Sequence, residues 1–153
     1  MLFASLPILN KTYSLLLQIY EFLTQKFPEL VDPAVDRDIA SAFEFKAAMI
    51  SKYQHIDELC KRTMDIFIRC YGSEAGLAGL KFLPYGGLYL TGGLTPKNVE
   101  SLKDPNGAFL KAFHNKGRVS STLKNVPVYA VLVDDLGERG AYYCASRDLM
   151  QKS

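Results

Sequence analysis

Apolar positions recur at helical spacing at the start of the chain. Leu15, Leu16, Ile19, Tyr20, Leu23 and Phe27 fall on one face, which predicts a helix over Tyr13–Lys26 that Pro28 stops. The stretch Pro28–Asp38, with two prolines and four acids, reads as a connecting loop, and Ile39–Tyr53 is weakly helical. Ile56, Leu59, Met64, Phe67, Ile68 and Tyr71 mark a strong amphipathic helix. A companion helix over Glu74–Phe82 is rich in small residues. Gly76 and Gly79 inside it predict close packing of another backbone, because glycine otherwise weakens a helix.

The pattern then changes period. Leu88, Tyr89 and Leu90 form a short apolar run between glycine pairs, the look of a buried strand, and Gly92 and Gly93 punctuate its end. Thr95 followed by Pro96 predicts a helix start, a hydroxyl cap and then a proline that needs no amide hydrogen. Asp104–Gly107 reads as a turn and Ala108–His114 as a short helix closed by Gly117. Val126–Val133 is a second apolar strand, ended by Asp134 and Asp135, and Gly137–Met150 reads as the last helix. Helices, strand, helix, strand, helix is an α/β order, with Leu88–Thr91 and Val128–Val133 expected as adjacent parallel strands.

Composition narrows the function classes. The chain has 153 residues, enough for one domain or one lobe, and 18 basic against 16 acidic residues give a net charge of +2. That balance excludes a nucleic-acid binder held by a strongly basic face. Cys60, Cys70 and Cys144 are an odd, widely spaced set, expected as free thiols in a reducing compartment, with Cys60 and Cys70 as small buried hydrophobes. No Cys or His lies at metal-ligand spacing. The apolar start Met1–Leu9 lacks a basic lead and contains Pro7, so it is read as soluble rather than as a signal peptide, and no run is long enough to span a membrane.

Three places offer chemistry. At Gly92–Gly93, no Cβ blocks a flat ligand, and the following helix presents free amide hydrogens; the alternative is a tight turn of any α/β protein. Asp134–Asp135 suits either a Mg²⁺ site or base, or a solvated turn or helix cap. His114, with Lys116 and Arg118, suits either a phosphate cluster or a solvated surface turn. Ser120, Ser121 and Thr122 have no placed base, so nothing supports nucleophilic catalysis there.

The segment YGSEAGLAGLKFLPYGGLYLTGGLTPK, Tyr71–Lys97, resembles the bacterial-type ATP-dependent glucokinases. So do Phe109–Arg118 (FLKAFHNKGR), the strand Pro127–Val133, the turn Leu136–Ala141 (LGERGA) and the upstream helix and loop Leu17–Val35. The resemblance covers Leu17–Asp148, with residues 1–16 divergent and 17–153 a carboxy-terminal glucokinase-like lobe. It implies a partial actin-like, ribonuclease-H-like lobe, with parallel strands flanked by helices. It also implies ATP with Mg²⁺ as cofactor, glucose as substrate, a cytoplasmic location, dimers, and neither nucleic acid nor membrane as partner. Gly92, Gly93, Leu94 and Pro96 would then form the wall against the adenosine.

The resemblance also implies residues that this sequence does not contain. The family's Asp-Gly-Gly-Thr phosphate turn, its Asn-Asp pair with the catalytic base and its Gly-Glu-Gly-Gly-His sugar segment are not found in it. Lys11–Leu15 stands where a Ser-Gly-x-Gly-Leu turn is expected, Leu77 where Asn is usual, and Tyr142 where His is common. Two readings stay open: part of a phosphotransferase whose base lies elsewhere, or a degenerate lobe that binds nucleotide weakly or pairs with another chain. The second reading expects an exposed apolar lobe face.

Overall fold

In the computed structural model, residues 2–4, 9–133 and 135–151 are described, with side chains from Leu15 onward in the first helix. The chain divides into two compact units, Pro7–Gly72 and Met1–Leu6 with Ser73–Ser153.

The first unit is helical. Its helices are α1 (Leu9–Lys26), α2 (Pro33–Ser41), α3 (Lys46–Tyr53) and the first part of α4 (Glu58–Phe82). Tyr20 and Leu23 of α1, Val35 and Ile39 of α2, Ile50 of α3, and Leu59 and Cys60 of α4 form one buried cluster. Each large aliphatic side chain buried there contributes about 1.5–3 kcal/mol. Tyr20 keeps its hydroxyl satisfied by donating to Asp36 Oδ1 at 3.3 Å.

The sequence expectation of a loop over Pro28–Asp38 is corrected. Pro28–Leu30 forms a single 3₁₀ turn, and α2 begins at Pro33. Asp32 Oδ1 accepts from the amides of Ala34 (2.8 Å) and Val35 (3.3 Å), and Pro33 needs no donor at the first helical position. The prolines and acids that suggested a loop are the helix's starting signals. The expected weak helix over Ile39–Tyr53 is two helices, separated by a 3₁₀ turn at Phe43–Phe45.

The two helices expected on either side of Ser73 are one continuous helix, α4. Asp57, just before it, accepts the Cys60 amide at 2.7 Å, a side-chain cap on the first turn. Gly72 does not break the helix because an interior glycine costs only about 1 kcal/mol against alanine.

The second unit carries a three-stranded parallel sheet in the order β1 (Leu2–Ala4), β2 (Leu88–Leu90), β3 (Val128–Ala130). Leu88 pairs with Leu2 and with Val128, and Leu90 pairs with Ala4 and Ala130. The parallel neighbours expected from the two apolar runs are present, each shorter than its run, and the class is α/β. Leu88 and Leu90 are buried on one face, while Tyr89 stacks on Tyr129 with ring centroids 5.1 Å apart on the other.

Helices α5 (Leu94–Lys97), α6 (Val99–Lys103) and α7 (Ala108–His114) follow β2. Phe109 and Phe113 of α7 and Leu123 are fully buried. The expected close approach at Gly76 and Gly79 is present. A Cβ at Gly76 would overlap the Phe113 carbonyl oxygen, and one at Gly79 would stand 2.8 Å from Leu123 Cδ2. Helix α7 ends at His114 with Asn115 as the residue that follows it, and Gly117, with φ of +56°, opens a 3₁₀ segment, Gly117–Asn125, instead of closing the helix.

Helix α8 (Leu136–Gln151) contains no buried residue, and Tyr142, Tyr143, Leu149 and Met150 are exposed on it. With exposed Tyr129, Leu132 and Val133, these leave the second unit an exposed apolar surface. No helix among the described residues is long and apolar enough to cross a membrane.

Candidate functional site

Strand β2 delivers the chain to an open turn. Gly92 takes φ of +102°, a conformation that L side chains rarely adopt, and this redirects the backbone straight after the strand. Gly93 returns to φ of −63° and stands at the start of α5. The Thr95 amide donates to the Gly92 carbonyl at 3.0 Å and closes the turn. A Cβ built at Gly92 or Gly93 would meet no heavy atom within 4 Å. Gly86, Gly117, Gly137 and Gly140 are equally open, whereas Gly76, Gly79, Gly87 and Gly107 are filled at the corresponding place. Gly92, Gly93, Leu94 and Pro96 are all half-buried, so the residues expected to form the adenosine wall lie together at the end of β2.

The helix start is corrected. Thr95 is not the cap: α5 begins at Leu94 after Gly93, and Thr95 is fully buried. The positive φ at Gly92 turns the chain earlier than the Thr-Pro pair suggested. Pro96 is then the third helical residue, still within the first turn, where amides have no intrahelical partner. The helix is only four residues long, so the dipole expected to favour a nucleotide is small.

Asn98 separates α5 from α6. It is buried, and its Nδ2 donates to the Leu94 carbonyl at 2.9 Å. Sequence reading passed over it; an Asn just after a helical turn is a known stop signal and marked the place.

The other candidates resolve as structure. Asp135 precedes α8; its Oδ2 accepts from Arg139 Nε at 2.9 Å and its carbonyl accepts from the Arg139 amide at 3.0 Å. That is a helix-start arrangement; its neighbour Asp134 lies outside the described residues. Among the described residues, no group of three or more His, Cys, Asp or Glu could hold a metal ion.

Lys116 is engaged within the fold. Its Nζ donates to Ser73 Oγ (3.0 Å) and to the Ala112 carbonyl (3.3 Å), a cation at the carboxy-terminal end of α7. His114 meets the Phe113 ring edge-on at 5.0 Å, and Arg118 is exposed. The Ser120 hydroxyl donates to the Gly117 carbonyl and accepts the Lys116 amide. Lys11–Leu15 runs through the first turns of α1, and Leu77 and Tyr142 are exposed on α4 and α8.

All three cysteines are free. Cys60 is buried as expected, whereas Cys70 is exposed on the outer face of α4, contrary to expectation. Burial pushes the Cys60 thiol well above the ordinary range, and the neighbouring Asp57 carboxylate raises it further.

Comparison with known proteins follows the same residues. The Glucokinase family model matches residues 15–148. Glucokinase of Trichormus variabilis is 35% identical over 141 residues, 84% of this chain and 40% of that protein. Glucokinase of Synechocystis is 35% identical over 140 residues, 84% of this chain and 39% of that protein. Glucokinase of Nostoc punctiforme is 45% identical over 91 residues, 60% of this chain and 26% of that protein. The chain spans less than half the length of these curated relatives. With a family match over most of its length, the chain belongs to the glucokinase family.

Proposed function

We propose that the chain is the nucleotide-side lobe of an ATP:D-glucose 6-phosphotransferase with an actin-like, ribonuclease-H-like architecture. The observation that carries the reading is the open Gly92–Gly93 turn at the end of a parallel strand, in a chain of this family. Residues 17–153 form the lobe and residues 1–16 a divergent segment. The adenosine lies against Gly92, Gly93, Leu94 and Pro96, with no Cβ in its way at the two glycines.

In such a reaction, the 6-hydroxyl of glucose would displace ADP from the γ-phosphorus of ATP, its proton passing to a carboxylate base, and Mg²⁺ would supply charge neutralisation from residues outside this sequence. The phosphate turn, the base and the sugar contacts are not in this sequence. On this reading the chain binds ATP weakly, nearer the millimolar range, about −4 kcal/mol, and transfers no phosphoryl group alone. The setting is cytoplasmic, and self-association into dimers belongs to the same proposal.

A coupled assay for glucose 6-phosphate with the chain, MgATP and glucose tests it. No product, together with millimolar MgATP binding by titration, is expected. Product formed by this chain would overturn the assignment of the base to other sequence.

A second reading is a degenerate lobe acting as a nucleotide-binding or protein-interaction module. The exposed apolar side chains of α8 favour it. That reading requires association through this surface, so a chain that sediments as a monomer in the absence of nucleotide would overturn it.

A further inference from the structure

We infer that Asn98 is a positioning residue for the Gly92–Gly93 turn. Its side-chain amide fixes the peptide plane that closes the turn, and so sets the backbone surface presented to a nucleotide. The inference rests on the reading of that turn as the adenosine wall.

The argument begins with helix length. Helix α5 has four residues, and a single turn is not self-sustaining because nucleation costs more than one hydrogen bond returns. It therefore needs a tether, and Asn98 supplies one. Its backbone amide donates to the Leu94 carbonyl at 3.1 Å and the Thr95 carbonyl at 3.3 Å. Its Nδ2 adds a second donor to the Leu94 carbonyl at 2.9 Å.

The Leu94 carbonyl and the Thr95 amide belong to one rigid peptide plane. Asn98 holds the carbonyl end of that plane, and the Gly92 carbonyl holds the amide end at 3.0 Å. Rotation of the plane loosens both bonds. Thr95 and Asn98 are both buried, so water does not readily replace either bond, while Gly92 and Gly93 stay open beside them.

The direction of the Asn98 side chain is specific. Asn98 also stands at the start of α6, with φ of −120° and ψ of 17°, and its carbonyl accepts the Leu102 amide at 3.0 Å. Its side chain makes no capping bond to α6 and reaches back to α5 instead. At an ordinary helix start, Asp serves as well as Asn. Here only a donor works: a carboxylate would face the Leu94 carbonyl oxygen with no proton to share.

The test uses the full chain, its Asn98→Asp, Asn98→Ala and Gly93→Val variants, and Leu123→Ala as a destabilised control away from the turn. Amide exchange at Thr95 is read by NMR, and MgATP is titrated while the Gly92 and Gly93 signals are followed. Asn98→Asp and Asn98→Ala are expected to speed Thr95 exchange and weaken MgATP binding, each about tenfold. Leu123→Ala is expected to lower the melting temperature and leave MgATP affinity unchanged. Thr95 exchange at the wild-type rate in Asn98→Asp overturns the inference. So does an Asn98→Asp affinity loss no larger than that of Leu123→Ala. If Gly93→Val binds MgATP as well as wild type, the adenosine reading fails, whatever Thr95 does; the exchange data alone then decide whether Asn98 holds the turn.

Discussion

The Phe113 carbonyl oxygen occupies the space that a Cβ on Gly76 would need, and Lys116 Cε crowds the same place at 2.7 Å. Glycine in a helix normally gives way to alanine with a gain of about 1 kcal/mol. At Gly76 the sign reverses, because backbone, unlike a flexible side-chain end, cannot step aside. Gly76→Ala is expected to destabilise the chain by about 1–3 kcal/mol in urea unfolding. Gly140 in α8 has open space around it and serves as the comparison. Gly140→Ala should stabilise by about 0.5–1 kcal/mol. Equal effects at the two sites would contradict the close approach.

Phe43 holds φ of +46° and is 86% exposed. A bulky residue in the left-handed region costs about 1–2 kcal/mol, and little apolar burial at this site offsets it. Phe43→Asn, a residue that tolerates this conformation, should raise stability by about 1 kcal/mol. A lower melting temperature in this variant would mean that the phenyl ring is held by something other than its local backbone.

The cysteines separate by environment. Cys70 and Cys144 are exposed and should react with an aromatic disulfide reagent in the native chain, with Cys60 reacting only on unfolding. Burial raises both the Cys60 thiol and the Tyr20 hydroxyl, with Asp57 adding to the first and Asp36 to the second. Both groups keep their protons in the folded chain at pH values where the unfolded chain releases them, about 8.5 for Cys and about 10 for Tyr. Stability is therefore full below about pH 8.5 and falls as pH rises, by up to about 1.4 kcal/mol per unit for each group. Urea midpoints from pH 7 to pH 10.5 check this; a midpoint that does not fall above pH 9 would contradict it.

Much of the fold was legible because its signals are local. The run Leu88–Leu90 has no helical reading between its glycine pairs, and Ala108–His114 matched its helix at both ends. The errors came where one residue serves two patterns. Pro33 breaks a helix or starts one, and only the Asp32 carboxylate reaching Ala34 and Val35 decides between them. Thr95-Pro96 looked like a helix start, but the positive φ of Gly92 had already turned the chain, and Thr95 went into the core. Cys70 was expected inside because a free Cys in a helical pattern usually packs as a small hydrophobe. Its place on α4 is set by which face packs, and a continuous helix turns that residue outward. At the site, the glycines were readable as an opening. The Asn98 tether was not, since it depends on an amide reaching back across one turn.

Gly92 and Gly93 are neighbours with different reasons for being glycine, and variants can separate them. Gly92 has φ of +102°, so a Cβ there is strained although no atom stands near it. Gly92→Ala should cost about 1–2 kcal/mol of stability. Gly93 has φ of −63°, which any residue adopts, and its Cβ would point into open space. The free chain therefore has no use for glycine at that position, and Gly93→Ala or Gly93→Val should leave the melting temperature nearly unchanged. Collision with a ligand is then the one cost of a side chain at Gly93. On the proposed function, Gly93→Val abolishes MgATP binding in a chain as stable as wild type. Asp135→Asn, at the helix start that Arg139 engages, should leave that binding intact. Calorimetry with MgATP and thermal melts on the same samples measure both quantities. Retained binding in a fully folded Gly93→Val chain would place the nucleotide away from this turn.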